Sequence, residues 1–234
     1  MPRACFVTAT DTGVGKTVLA AAITAGLEAA GVAVRARKPI ATGISGRGRD
    51  AGGDRLEQLD DHELLAAVSG ERADEVVYAR YEPAVAPQLA AELSGTPLNV
   101  PAMIEDLRST AASAEALVVE GIGGLLVPLA PGWDVRGLAA ALGLPVVIAA
   151  RPGLGTLNHT LLTLEAAHRS ALDVRAVVLT PWPDEPDEIE LSNRATLERL
   201  CEVEVASLPR LTVLTRTSLA AAAEGLGYER WLSA

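Results

Sequence analysis

The chain has 234 residues, 49 % of them apolar, and a net charge of −10 from 20 basic and 30 acidic side chains. This composition excludes a disordered chain and disfavours general nucleic-acid binding, because an acidic surface repels phosphate backbones. Two cysteines, Cys5 and Cys201, are too few for a disulfide framework, and the longest uncharged apolar stretch, 137–150, is too short to span a bilayer, so we expect a cytoplasmic protein without a membrane partner.

Short apolar runs with strand character alternate with longer helical stretches along the chain. Alternation of this kind predicts βαβ units around a mostly parallel central sheet with helices on both faces. No linker or low-complexity segment interrupts it, so we predict a single α/β domain over residues 1–234. Strands are predicted at 4–8, 32–37, 116–119, 145–150, 175–180 and 202–208, and helices at 16–30, 54–68, 86–93, 100–112, 156–169, 189–200 and 218–226.

A glycine-rich segment after the first predicted strand runs into the first helix and ends in Gly15-Lys16-Thr17. Backbone N–H groups at such a helix start can surround a phosphate, while Lys16 reaches its outer oxygens and the Thr17 hydroxyl ligates Mg²⁺. Gly13 and Gly15 permit backbone conformations that a side chain would forbid. The strict motif has a glycine where this chain has Thr10, but the placement between strand and helix still predicts a phosphate-binding loop.

Lysine is rare in this chain. Of the 20 basic residues only Lys16 and Lys38 are lysines, and the rest are arginines. A compact ammonium group fits beside phosphate oxygens where the wide guanidinium plane does not. Lys38 follows the second predicted strand, and ligands of parallel sheets bind at the edge where the strands end. We therefore predict that both lysines act at one ligand site.

Two acidic residues are candidates for holding Mg²⁺. Glu120 ends an apolar strand and leads into the glycine-rich turn 121–124, although a turn or helix-cap role is the alternative. Asp54 follows a glycine-rich loop at the predicted start of a helix, so a simple N-cap is an equal alternative. His62 lies in the acidic run 60–63, a pattern typical of a solvated helix face. No serine or histidine has the neighbours that a catalytic nucleophile requires.

Four segments together resemble the dethiobiotin synthetase family, in that family's order and spacing. They are 6–8 with 11–17, 38–43, 119–124 and 155–159. The resemblance implies a P-loop NTPase-like fold and a homodimer with the active site at its interface. It also implies closure of the ureido ring of dethiobiotin from 7,8-diaminononanoate, CO₂ and ATP, through a carbamate and a carbamic-phosphoric anhydride, in biotin biosynthesis.

The resemblance further implies roles for individual residues. Lys16 and Lys38 would be catalytic, stabilising charge on the γ-phosphate and the carbamate. Mg²⁺ would be held by Thr17, Asp54 and Glu120. The diamine would contact Thr12, Lys38 and Thr42, and its carboxylate would meet a helix start at Gly155, Leu157 and Asn158 across the dimer interface. The nucleotide would contact Gly13, Val14, Gly15, Lys16, Thr17, Val18, Asp54, Glu120, Gly121, Ile122, Gly123, Thr180, Leu208, Pro209 and Arg210.

Some positions depart from the family pattern. Ala9 replaces the usual leading glycine of the loop, and Gly13 stands where a glutamate is common. Many relatives have an asparagine that reads adenine where this chain has Thr180-Pro181-Trp182. Proline has no N–H, and threonine cannot make the paired hydrogen bonds of an amide. We therefore hypothesise relaxed nucleotide selectivity, with other nucleoside triphosphates accepted beside ATP.

A regulatory P-loop ATPase of the partition or positioning type is the main alternative. Such proteins carry a lysine at the head of the loop, where this chain has Asp11. A metal-insertion GTPase would need Cys and His ligands, and a non-enzymatic nucleotide-binding module is a further alternative. Dependence of nucleotide hydrolysis on diaminononanoate and bicarbonate distinguishes the synthetase from all of these.

Overall fold

A six-stranded parallel sheet forms the centre of the protein in a computed structural model that describes residues 2–44 and 56–233. The strands are β1 (Arg3–Ala9), β2 (Val34–Arg37), β3 (Ile40–Thr42), β4 (Ala79–Tyr81), β5 (Ala116–Glu120), β6 (Pro128–Ala130), β7 (Trp133–Asp134), β8 (Val146–Ala150), β9 (Val174–Trp182) and β10 (Glu204–Pro209). The large sheet has the order β10-β9-β8-β1-β5-β2, while β3-β4 and β6-β7 form two small pairs.

Helices cover both faces of this sheet. They are α1 (Lys16–Ala29), α2 (Asp61–Ser69), α3 (Ala73–Val76), α4 (Pro87–Leu93), α5 (Val100–Ser113), α6 (Val135–Leu142), α7 (Thr156–His168), α8 (Glu188–Leu200) and α9 (Arg216–Glu224), followed by a 3₁₀ turn at Tyr228–Trp231. Within the described part of the chain, no helix has both the length and the apolar character needed to cross a bilayer.

The alternation of side chains along β1 shows how the two layers of core are built. Cys5 and Val7 pack on one face with residues of α1, α2 and α9. Ala4 and Phe6 point to the other face and pack with residues of α5, α6 and α7. A strand buried on both faces is typical of a parallel sheet between two helical layers. The predicted α/β architecture is thereby confirmed.

The predicted helix 54–68 starts too early. In the structure α2 begins at Asp61, and residues 56–60 are not helical. Asp60 is the N-cap, because its backbone N–H donates to Glu63 Oε2 at 3.0 Å while its side chain accepts from the Glu63 backbone. This reciprocal capping box sets the helix start. Asp54 lies outside the described residues.

The shorter elements were missed in the sequence. β3 and β4 have three residues each, too few for a hydrophobic period to be visible. Helix α6 follows Asp134, whose side chain accepts a hydrogen bond from Gly137 N at 2.7 Å. Among them, β3 is the strand that ends at Thr42.

Candidate active site

The phosphate-binding loop joins β1 to α1. Gly13 and Gly15 both have positive φ, 73° and 87°, a conformation that favours glycine. A Cβ at Gly15 would lie 2.8 Å from Thr180 Oγ1, so the site leaves no space for a side chain there. No described side chain caps α1, and the N–H groups of its first turn therefore remain available for an anion.

Both lysines approach the same carboxylate oxygen. Lys38 Nζ lies 2.6 Å and Lys16 Nζ 3.6 Å from Glu120 Oε1, at the end of β5. The Thr17 hydroxyl donates to that oxygen at 2.9 Å. Glu120 is fully buried and the two lysines nearly so. Lys16 and Lys38, which are distant in the sequence, thus share Glu120 as a counter-ion at the edge of the sheet.

The two ammonium groups differ in their electrostatic surroundings. Burial tends to lower the pKa of Lys38, but the carboxylates of Glu120 and Asp61 outweigh it and raise that pKa above its usual value. Burial lowers the pKa of Lys16, repulsion from Lys38 lowers it further, and attraction to Glu120 compensates only in part. Lys38 is therefore firmly protonated, while Lys16 has more to gain from an arriving phosphate.

Asp61 completes the cluster, and sequence reasoning missed it. Its Oδ2 lies 2.8 Å from Lys38 Nζ. Partial burial would raise the pKa of Asp61, but the adjacent Lys38 ammonium holds it below the usual value. The expectation of a solvated helix face over 60–63 is wrong for His62, which is 4 % exposed, whereas the Asp61 side chain is 48 % exposed. The Asp60-x-x-Glu63 capping pattern was the signal that could have located this helix start.

The oxygen donors at the end of β5 fit a magnesium ion. Glu120 Oε2 is buried without a hydrogen-bond partner in the described structure, and Asp61 and Thr17 add further oxygens. Mg²⁺ in phosphate-handling sites is held by one or two carboxylates, with substrate phosphates and waters completing its shell. Residues 2–44 and 56–233 contain no group of three or more His, Cys, Asp or Glu side chains that could form an all-protein metal cage.

A cavity of about 600 Å³ adjoins this cluster. Its polar lining includes Thr12, Thr42 and both lysines, which places the predicted diamine contacts together. Asp60, Asp61 and His62 also line it, and its apolar wall comprises Ala41, Ile44, Leu59, Ala84, Val85, Ala86, Pro87, Ile122 and Val127. An elongated molecule with a polar end and an aliphatic chain is the kind of ligand that such a lining suits.

The turn after β5 packs closely against the phosphate-binding loop. Gly123 has a φ of 58°, and a Cβ at Gly124 would lie 3.2 Å from the Ala9 carbonyl oxygen. Lys38 Nζ also donates to the Gly121 carbonyl at 3.1 Å. Ile122 and Gly123 line the cavity. This turn therefore joins the loop, Lys38 and the cavity into one site.

The remaining predicted nucleotide contacts lie at several places along the sheet edge. Thr180 is buried against Gly15. Val14 is buried and Val18 half-buried. Leu208 is fully buried in the core, so its side chain is not available to a base, whereas Pro209 and Arg210 are exposed beside it.

The predicted carboxylate contacts lie at the start of α7. Gly155 and Asn158 are exposed and Leu157 is half-buried. None of the three lines the 600 Å³ cavity. Their role across a dimer interface stays a prediction.

Solved structures share this fold. The septum site-determining protein MinD complexed with Mg-ADP from Pyrococcus horikoshii is similar with a TM-score of 0.54 and 16 % identity, covering 95 % of this chain and 86 % of that chain. A ParA family ATPase from Chlorobium tepidum gives a TM-score of 0.54 and 13 % identity, covering 97 % and 91 %. At such low identity the similarity shows the fold alone.

Fold and loop together define a P-loop nucleotide-dependent protein, and the family described as AAA domain matches residues 3–218. The ATP-dependent dethiobiotin synthetase BioD of Anaeromyxobacter dehalogenans is 43 % identical over 200 residues, 85 % of each chain. The protein of that name from Mycobacterium avium is 36 % identical over 97 % of this chain and 96 % of its own. This chain belongs to the ATP-dependent dethiobiotin synthetase family, which confirms the resemblance stated from the four motifs.

Proposed function

We propose that this chain closes the ureido ring of dethiobiotin from 7,8-diaminononanoate, CO₂ and ATP, with Lys16 and Lys38 supplying the positive charge that the reaction needs. The observation that carries these roles is the approach of both ammonium groups to Glu120 Oε1, at 3.6 and 2.6 Å, beside the phosphate-binding loop. Oxyanions of a phosphate and a carbamate are the ligands that two such donors suit.

The reaction requires no protein nucleophile. One substrate amine adds to CO₂ and forms a carbamate, whose oxygen attacks the γ-phosphorus as the bond to ADP breaks. The second amine then attacks the carbamoyl carbon, and phosphate leaves with the bonding electrons. The described cavity wall contains no serine or cysteine. The chain therefore acts by holding the reactants together and neutralising developing charge.

Binding of substrates exchanges one set of anions for another. Glu120 and Asp61 neutralise the lysines in the structure, and phosphate and carbamate oxygens would replace them as partners of Lys16 and Lys38. The carboxylates of Glu120 and Asp61, no longer paired with the lysines, are then free to bind Mg²⁺. We assign Thr17, Asp61 and Glu120 as the protein ligands of Mg²⁺, which when bound neutralises charge on the phosphates. A ligand role for Asp54 stays a prediction from the sequence.

Product analysis tests the function directly. Dethiobiotin, ADP and phosphate should form in equal amounts only when diaminononanoate, bicarbonate, Mg²⁺ and ATP are all present. A regulatory ATPase would hydrolyse ATP at the same rate without the diamine and bicarbonate, and this outcome would overturn the proposal.

The assignment of Asp61 is tested by a matched pair of variants, Asp61→Asn and Asp54→Asn. Each removes one carboxylate charge from the same stretch of chain. We expect Asp61→Asn to raise the Mg²⁺ concentration for half-maximal activity by about tenfold or more, as for a lost metal ligand or its close support. The ligand role predicted for Asp54 from the sequence requires that Asp54→Asn also raise this Mg²⁺ concentration. A rise with Asp54→Asn and none with Asp61→Asn would contradict the assignment of Asp61.

We propose also that the enzyme is a homodimer whose site includes the partner's α7. Three large apolar side chains near this helix are strongly exposed: Leu126 at 60 %, Leu154 at 86 % and Leu162 at 56 %. Contact with a second copy would remove them from water. Light scattering on the purified protein should give twice the chain mass, and Leu154→Asp should yield a monomer with little activity.

A further inference from the structure

His62 is a buried polar residue that the proposed mechanism does not use. It is the second residue of α2, it is 4 % exposed, and it lines the cavity that also contains Lys16 and Lys38. Its Nδ1 is buried without a hydrogen-bond partner among residues 2–44 and 56–233. Buried polar atoms are nearly always hydrogen-bonded, so an unpaired one at a binding cavity is a candidate contact for a bound molecule.

The first turn of α2 presents acceptors to the cavity, whereas the two lysines present donors. Asp60, Asp61 and His62 all line it. The Asp60 side chain accepts from the Glu63 backbone, and Asp61, 2.8 Å from Lys38 Nζ, is assigned to Mg²⁺ when substrates bind. With its proton on Nε2, His62 offers Nδ1 as an acceptor that no described group satisfies.

A vicinal diamine needs acceptors once one of its nitrogens has become a carbamate. The carbamate and the phosphate, as anions, belong with the lysines. The remaining amine carries N–H donors and must keep its lone pair directed toward the carbamoyl carbon, so one of its N–H bonds has to point to an acceptor on the wall.

We propose that His62 is a specificity-determining residue that accepts a hydrogen bond from the uncarboxylated amine of the substrate and thereby distinguishes a vicinal diamine from a monoamine. The inference rests on the proposed function and adds the residue that recognises the second amine. It assigns no proton transfer to the imidazole.

The test uses three variants of the full chain. His62→Leu removes the acceptor at similar bulk, His62→Asn keeps an amide oxygen near the Nδ1 position, and His62→Gln places it near Nε2. We expect His62→Leu to raise the KM for diaminononanoate about tenfold, the effect of one lost hydrogen bond, with the KM for ATP within about twofold of wild type. His62→Asn should recover most of the loss and His62→Gln little.

Competition with two monoamine analogues, each lacking one amine of the substrate, completes the test. Wild type should bind the diamine more tightly than either analogue, and His62→Leu should lose the preference over one of them. An unchanged diamine KM in His62→Leu, or an equal rise in the KM values of diamine and ATP, would overturn the inference. If His62→Leu does not fold, as judged by ATP affinity, a comparison of His62→Asn with His62→Gln decides, since equal KM values for both exclude a specific acceptor. Absence of ring closure by wild type would instead contradict the proposed function.

Discussion

Lys38 Nζ lies 2.6 Å from Glu120 Oε1, with both side chains buried at the end of the central sheet. The same oxygen is the counter-ion of Lys16. One buried carboxylate is therefore shared by two ammonium groups, and Asp61, 2.8 Å from Lys38 Nζ, supplies the second negative charge. Stability and catalysis are coupled at this point, because any ligand that binds the lysines must compete with Glu120.

Glu120→Gln should destabilise the nucleotide-free protein. It leaves two buried ammonium groups without their shared counter-ion, and breaking one side of a buried ion pair costs about 3–5 kcal/mol. ATP without Mg²⁺ should stabilise this variant more than wild type, because phosphate oxygens replace the missing charge. Urea unfolding with and without nucleotide measures both effects. Glu198→Gln, which removes an exposed ion-pair partner of Arg194, is the control and should behave like wild type.

Lys38→Arg should lower kcat by about 100-fold, the scale of losing one donor to a developing oxyanion. The Lys38 ammonium fits between Glu120, Asp61 at 2.8 Å and the Gly121 carbonyl at 3.1 Å, and the wider guanidinium plane would displace the substrate there. Steady-state kinetics measures the loss, and Arg35→Lys, at a more exposed position, is the control. A kcat near that of wild type would contradict a requirement for a compact charge.

Gly15→Ala and Gly13→Ala form a pair that separates backbone strain from steric contact. Both glycines have positive φ, so each substitution costs about 1–2 kcal/mol of strain. A Cβ at Gly13 meets nothing within 4 Å, but one at Gly15 lies 2.8 Å from Thr180 Oγ1. Gly15→Ala should therefore weaken ATP binding much more, and Thr180→Ala should rescue part of the loss. Titration calorimetry measures the affinities, and equal effects at both positions would contradict this role of Thr180.

Relaxed nucleotide selectivity is expected from the strand end at Thr180. Its side chain is buried against Gly15, Pro181 offers no N–H, and Leu208 is enclosed in the core. No amide is thus present at position 180 for paired hydrogen bonds to adenine. The values of kcat/KM for ATP, CTP, GTP and UTP should fall within about tenfold of one another, since the triphosphate supplies most of the binding. A strong preference for ATP would require another base contact.

Local sequence patterns were sufficient to predict the position of the phosphate-binding loop and of most strands of the large sheet. The Gly15-Lys16-Thr17 tripeptide could be placed because it lies between an apolar strand and an alanine-rich helix. The predicted start of α2 at residue 54 is wrong, because the capping box of Asp60 and Glu63 sets the helix start and the glycine-rich loop before Asp54 does not.

The sequence by itself determined the parallel α/β architecture, the phosphate-binding loop and the two lysines at the sheet edge. These features can be read from hydrophobic periodicity and from residue types that lie close together in the chain. Only the tertiary structure decided that Asp61 contacts Lys38 and that His62 lines the cavity with an unpaired nitrogen. Burial and partnership of a polar side chain depend on how distant elements pack, and an acidic run looks the same on an exposed helix as on one whose first turn faces a binding site.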